Sequence, residues 1–344
     1  MTRREHLLRA LHGEAVEHFP FAAYTWLYDA ALPPGMRSFP GVGRIAAASP
    51  YRVERESVQV ETVPLPDGGD LTTYHTPLGD LTQRRAREPG YGSPWVMEHF
   101  VKQPEDWRRV QYVLEDTHYL PDPQAFADAE AHLGEEGVVL AAAERMPFQR
   151  LWIEFGDLEQ LCVLLADDRD YLDRLVSLVT RQASESWAMI AACGAEFVWA
   201  PDNLTSDILS PELFRRYAQP YYEALAGALR PAGQKIVAHM DGHLAALTEL
   251  IAETPVEVVE SFTPPPNGNL SLGQAWRAWP DKVLWVNFPP AWHLGTPERI
   301  QEQVLDLAGE VPQRRRLAFE VSEDVPPDLV AANLTALSEA LASG

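Results

Sequence analysis

Residues 234–266 read QKIVAHMDGHLAALTELIAETPVEVVESFTPPP. Residues 235–238 form a short apolar run, the pattern of a buried strand. Residues 244–252 are helical text, and residues 256–259 return to an apolar run. Strand, helix and strand in that order imply parallel pairing through a right-handed crossover. Near-continuous apolar strands further imply a sheet covered on both faces.

The same alternation continues on both sides. Strand-like runs occur at 138–142, 197–200, 283–286 and 317–321, with helical text at 168–192, 211–230, 297–308 and 326–342. An apolar run at 19–26 adds a further strand over 19–23, making seven. No GxGxxG or GxxxxGK follows any of them, so the phosphate fingerprint of an open doubly wound sheet is missing. The expected fold is therefore α/β: a single TIM (β/α)8 barrel spanning 1–344, with one strand unrecognised.

The front of the chain is irregular by comparison. Residues 3–12 read as a helix, and LPPGMRSFPGVG (32–43) reads as loop. Alternating runs around VQVETV, DLTTYHT and GDLTQRR are split by Pro66-Asp67-Gly68-Gly69 and Pro77-Leu78-Gly79. Turn residues between period-two runs predict an antiparallel ribbon. Pro104 and Glu105 mark a helix start. Residues 27–135 are thus expected to be an N-terminal irregular, antiparallel excursion from the barrel.

Composition narrows the function. With 28 Lys+Arg against 50 Asp+Glu, the formal charge is −22, a field that repels nucleic acid and anionic membranes. A hydrophobic content of 46% excludes a disordered chain. No stretch approaches the ~18 apolar residues of a membrane span, and MTRREHLLRALHGE has no apolar signal core. Cys162 and Cys193 lie in apolar helical text and are expected to be buried free thiols. No CxxC occurs, which excludes a thiolate-rich zinc or redox site. A cytoplasmic setting is expected, and the sequons at Asn203, Asn269 and Asn333 are then chance matches.

Polar residues collect where the strands end, the face on which parallel barrels place catalysis. In chain order these are Glu144 and Arg145, Asp202 and Asn203, His239 and Asp241, Glu260, Asn287, then Glu323 and Asp324. Any one of several could simply cap the following helix. A ring of such side chains on one axis would be costly without a ligand or metal. His239-Met240-Asp241 points imidazole and carboxylate to one side by the strand period of two. That pair suits zinc, manganese or iron, or equally an orienting hydrogen bond without metal. Glu260 and Glu323 could complete a three- or four-ligand site or serve as acid/base carboxylates. Arg145 is a candidate clamp for a substrate anion. Tyr24, Trp26 and Tyr28 are candidates for the pocket mouth, with core packing as the plain alternative. His243, Tyr217, Tyr221, Tyr222 and Arg314-Arg315-Arg316 are expected to be solvated or structural.

MTRREHLLRALHGEAVEHFP, TPLGDL, VKQPEDWRRVQYVLED and the long segment from PDNLTSDILSPELF to VAHMDGHL resemble the uroporphyrinogen decarboxylase superfamily. So do VVESFTPPPNGNLSLGQAWRAWPDKVLWVNFPP and VSEDVPPDLVAANLTAL. The likeness covers nearly the whole chain, and it implies a TIM barrel. The decarboxylases of that superfamily bind acidic tetrapyrroles through an N-terminal RQAGR motif. Here AAYTWLYDAALPPG stands in its place, without paired arginines. A pocket ringed with acids also suits a many-carboxylate substrate poorly. The other branch, cobalamin-dependent methyltransferases, carries zinc on His-x-Cys and a second Cys near the last strand. The resemblance places His239 on the histidine, Asp241 on the first cysteine, and Glu323 nearest the second.

The resemblance thus implies a metal-dependent methyltransferase acting on a small substrate. His239, Asp241 and Glu323 would hold a divalent metal such as zinc, and a partner corrinoid protein would present the methyl group. Glu260, Asp202 and Asn203 are the expected catalytic residues. Arg145, Asn287, Tyr24 and Trp26 are the expected substrate-binding residues. The alternatives are a metal-free carboxy-lyase using Asp202 or Asp241, and a non-catalytic barrel that binds a small ligand.

Overall fold

The structure, a computed structural model, describes residues 1–88 and 93–343. Its strands in chain order are β1 (Phe21–Tyr24), β2 (Val42–Ala48), β3 (Tyr51–Arg55), β4 (Gln59–Pro64), β5 (Asp70–His75), β6 (Leu81–Ala86) and β7 (Trp95–Glu98). They continue as β8 (Thr117–Pro121), β9 (Gly137–Ala142), β10 (Phe197–Ala200), β11 (Lys235–His239), β12 (Val258–Phe262), β13 (Val283–Asn287) and β14 (Leu317–Val321). β1, β2 and β9 to β14 form a closed parallel barrel with helices between successive strands. Closure runs through β1, whose Phe21 is in register with Phe319 of β14 on one side and Val42 of β2 on the other.

Alternation along each strand sorts the side chains into two cores. Ala22, Ile45, Leu140, Val237, Val258, Trp285 and Ala318 fill the barrel, plugged from below by Leu7, Ala10 and Leu11 of the helix Arg3–Leu11. That helix starts at a reciprocal cap between Thr2 and Glu5. The alternate positions, such as Ala23, Val139, Val198, Val259, Leu284 and Phe319, pack outward against the helices. Inside, the apolar layers end below Tyr24, Trp199, His239, Glu260, Asn287 and Glu320, so the upper interior is polar.

The excursion is as expected in kind. β4 to β7 form an antiparallel sheet and β3 pairs antiparallel with β8. Tyr74 of β5 stacks on Phe100 at 4.6 Å, and Phe100 leans on Phe155 behind β9, which fastens the sheet to the barrel. Among the described residues, no helix is long and apolar enough to cross a membrane.

Several expectations need correction. The unrecognised eighth strand is β2, inside the stretch taken for irregular excursion and loop. Its text, VGRIAAA, has few bulky apolar residues because space is short: a Cβ on Gly43 would lie 2.7 Å from Leu7. Of the apolar run at 19–26, with a strand expected over 19–23, only Phe21–Tyr24 is strand, and Thr25–Ala31 turns helical. Cys162 is exposed and Cys193 only half-buried, since Leu161 and Leu164 turn the first helix's other face inward. Arg316 is not solvated. It is buried over the Trp276 ring and donates to the carbonyls of Trp279 and Lys282. His243 stays part-exposed before the next helix, as a solvated or structural residue would, and pairs with Asp207 at 2.9 Å.

Candidate metal centre

β11 and β12 lie side by side with His239 in register with Glu260, and both side chains point into the barrel. His239 Nδ1 lies 2.8 Å from Glu260 Oε2. The Tyr24 hydroxyl donates to Glu260 Oε1 at 2.7 Å and the Trp199 indole N–H to Oε2 at 3.0 Å. Burial pushes the Glu260 carboxyl up, but the His239 charge outweighs it and holds Glu260 below the usual range. Burial likewise opposes the His239 cation, yet Glu260 and Asp241 hold its pKa well above the ordinary value. A buried imidazolium–carboxylate pair results, stabilised by extra hydrogen bonds as such pairs must be.

With Nδ1 committed to Glu260, His239 turns Nε2 toward Asp241, 3.6 Å from Oδ2. Burial raises the Asp241 carboxyl, but His239 lowers it further, and Asn203 Nδ2 donates to Oδ2 at 3.1 Å. Glu323 stands beyond the end of β14, and burial pushes its carboxyl above the usual range. One ligand atom from each of His239, Asp241 and Glu323 lies within 4.8 Å of the others. The donor set fits a divalent ion: one imidazole held by a carboxylate behind it, and two acids. Glu323, whose ionised form burial disfavours, is a group that a cation would relieve.

The other expected site residues take different positions. Asp202 is fully buried, and both oxygens are engaged: Oδ1 accepts the Met146 N–H at 2.7 Å and Oδ2 the Tyr222 hydroxyl at 2.6 Å. Burial still holds its pKa above the usual carboxylate value. It ties the end of β9 to the helix Gln219–Leu229. Asn203 adopts φ +47° and reaches the triad through Asp241. Arg145 Nη1 donates to Asn203 Oδ1 at 2.5 Å, and its Nε lies 3.6 Å from Glu154. Asn287 spends its amide on Thr263 Oγ1 and the Ser322 N–H, each at 3.2 Å. Tyr24 lies inside the barrel on Glu260, whereas Trp26 is 38% exposed on the helix Thr25–Ala31. Tyr28 is core, its hydroxyl accepting the Phe39 N–H.

One acid escaped sequence reasoning. Glu320 is fully buried, with Oε1 accepting the Ser261 N–H at 2.8 Å. Burial and the Glu260 charge push its pKa well above the usual range, so it is a neutral acid beside an anion. Its signal was an acid in an apolar strand, two positions after inward-facing Ala318. Tyr222, taken for packing, was missed as the partner of Asp202.

The family profile for uroporphyrinogen decarboxylase (URO-D) matches residues 88–343. The chain belongs to the uroporphyrinogen decarboxylase family. No curated protein matches this family member's sequence. Among solved structures, a methyltransferase from Methanosarcina mazei superposes with TM-score 0.62 at 15% identity, covering 100% of this chain and 99% of the other. At that identity the likeness is one of fold. A B12-independent methionine synthase from Shewanella sp. W3-18-1 follows with TM-score 0.44 at 10% identity, over 86% of this chain and 76% of that one.

Proposed function

We propose that this uroporphyrinogen decarboxylase family member is a metal-dependent methyltransferase acting on a small substrate, with a corrinoid protein as methyl-group partner. The observation that carries the proposal is the convergence of His239, Asp241 and Glu323 within 4.8 Å at the open end of the barrel. A zinc-like ion bound there supplies Lewis acidity that lowers the pKa of a thiol or water, or polarises a substrate oxygen. Oxygen donors in place of thiolates donate less charge and sharpen that acidity.

The chain's own residues do the rest. Glu260 fixes the ring of His239 through Nδ1 and so keeps Nε2 aimed at the centre. Tyr24 and Trp199 fix Glu260 in turn. The apolar layer beneath them closes the floor to water. The same barrel in the Methanosarcina mazei methyltransferase supports methyl transfer as the reaction class. A second reading, a metal-free carboxy-lyase, draws on the family membership and on the raised pKa of buried Asp202. It is the weaker one, because both Asp202 oxygens are already engaged.

Metal analysis of protein purified without a histidine tag tests the proposal. About one equivalent of zinc, lost in His239→Ala and Asp241→Ala, is expected. No metal under any loading condition would overturn it and leave the carboxy-lyase or a non-catalytic binding barrel. Turnover of a methylated donor with a corrinoid protein would exclude the binding-only alternative.

A further inference from the structure

We propose that Arg145 and Asn203 are positioning residues for Asp241, an amide clamped between a guanidinium and a metal-binding carboxylate. The assignment rests on the metal centre proposed above. Asn203 Oδ1 accepts from Arg145 Nη1 at 2.5 Å, and Asn203 Nδ2 donates to Asp241 Oδ2 at 3.1 Å. Only this orientation of the amide works. A flipped amide would set its oxygen against the Asp241 carboxylate and its N–H groups against the guanidinium. Arg145 therefore selects the amide orientation, and the amide selects the carboxylate rotamer.

The backbone at Asn203 points the same way. Its φ of +47° is a conformation that few residues adopt without cost. Gln149 Nε2 donates to the carbonyls of Asp202 and Asn203 at 3.0 and 2.9 Å, and Asp202 is locked by Met146 and Tyr222. A strained residue held from several directions is the signature of a functional constraint. Arg145 Nε, by contrast, makes no hydrogen bond and only a loose ion pair with Glu154 Oε1 at 3.6 Å. A part-buried guanidinium whose short contact is one amide is spent on orientation rather than on stability.

The consequence lies at Asp241. Asn203 tethers Oδ2, the oxygen 3.6 Å from His239 Nε2, and so holds the carboxylate off the imidazole with lone pairs left for a cation. Released from the amide, Asp241 is expected to swing onto His239 Nε2, now 3.6 Å away, and close the coordination gap with a direct ion pair.

The test measures Co(II) binding and the visible Co(II) spectrum, beside the melting temperature of the metal-free protein, for wild type, Asn203→Gly and Arg145→Met. Glycine takes positive φ freely, so Asn203→Gly is expected to melt at or above the wild-type temperature. Its Co(II) dissociation constant is expected to rise about 10- to 100-fold, as for other groups that orient metal ligands, with altered visible bands. Arg145→Met is expected to weaken binding in the same direction. Wild-type binding with both variants within about twofold, whatever their melting temperatures, overturns this proposal alone. A wild type that binds no Co(II) overturns the metal centre, and this proposal with it.

Discussion

Charging His293 in acid would strand a cation without a partner. The Asn333 amide donates to His293 Nδ1 at 3.2 Å, which makes Nε2 the protonated nitrogen, and Nε2 is buried with no acceptor. Burial accordingly lowers its pKa from 6.5 to about 4. As pH falls, the unfolded chain takes up this proton first. Stability present above the unfolded value of 6.5 is therefore lost as pH drops toward 4, by roughly 3 kcal/mol. His293→Gln, which keeps an acceptor for Asn333, is expected to flatten the denaturation midpoint over that window. An unchanged slope would refute the assignment. The Glu260–Glu320 pair offers a second residue-scale prediction. Glu320→Gln replaces a neutral acid by a neutral amide and is expected to leave the melting temperature nearly unchanged. Glu260→Gln strands the His239 cation and is expected to cost about 3–5 kcal/mol. Equal losses in a denaturant series would show that the proton sits elsewhere. His239, Asp241 and Glu323 were legible as candidates because they stand at or just past strand ends. Glu320 was hidden inside an apolar run, where only the inward side of the strand gives it meaning.

Among the elements, β2 shows the limit of pattern reading. Val42–Ala48 offers one large apolar residue in its interior, Ile45, so it carries little strand signal. Its pairing is nonetheless tight. Gly137 of β9 is in register with Arg44, and a Cβ there would lie 1.9 Å from the Arg44 carbonyl oxygen. Gly137→Ala must therefore part β2 from β9, and a loss of about 3 kcal/mol in urea unfolding is expected. Gly227, in the helix Gln219–Leu229, has open space at its Cβ position. Gly227→Ala is expected to stabilise by about 0.5–1 kcal/mol. If the two substitutions behaved alike, the close backbone approach would be wrong. Strands 138–142 and 317–321, by comparison, were read to within a residue, because both faces of each are covered and each run is apolar apart from Glu320.

Across the whole molecule, 50 acids against 28 Lys and Arg leave a charge of −22, and self-repulsion works against the compact state. Raising salt from about 10 mM to about 150 mM shortens the screening length to ~8 Å and is expected to raise the melting temperature. A fall would mean that surface ion pairs such as Arg9–Glu14 outweigh the net repulsion. Sequence by itself determined the α/β class, the barrel, the excursion and the strand ends at which polar chemistry collects. Those follow from periodicity, which is local. Tertiary structure alone decided which strand closes the barrel, that Asp202 is an anchor rather than a free acid, that Arg316 is buried and that Glu320 faces Glu260. Each of these depends on which groups meet across twenty or more residues of chain, and the last also on the proton placement that burial imposes on neighbouring acids.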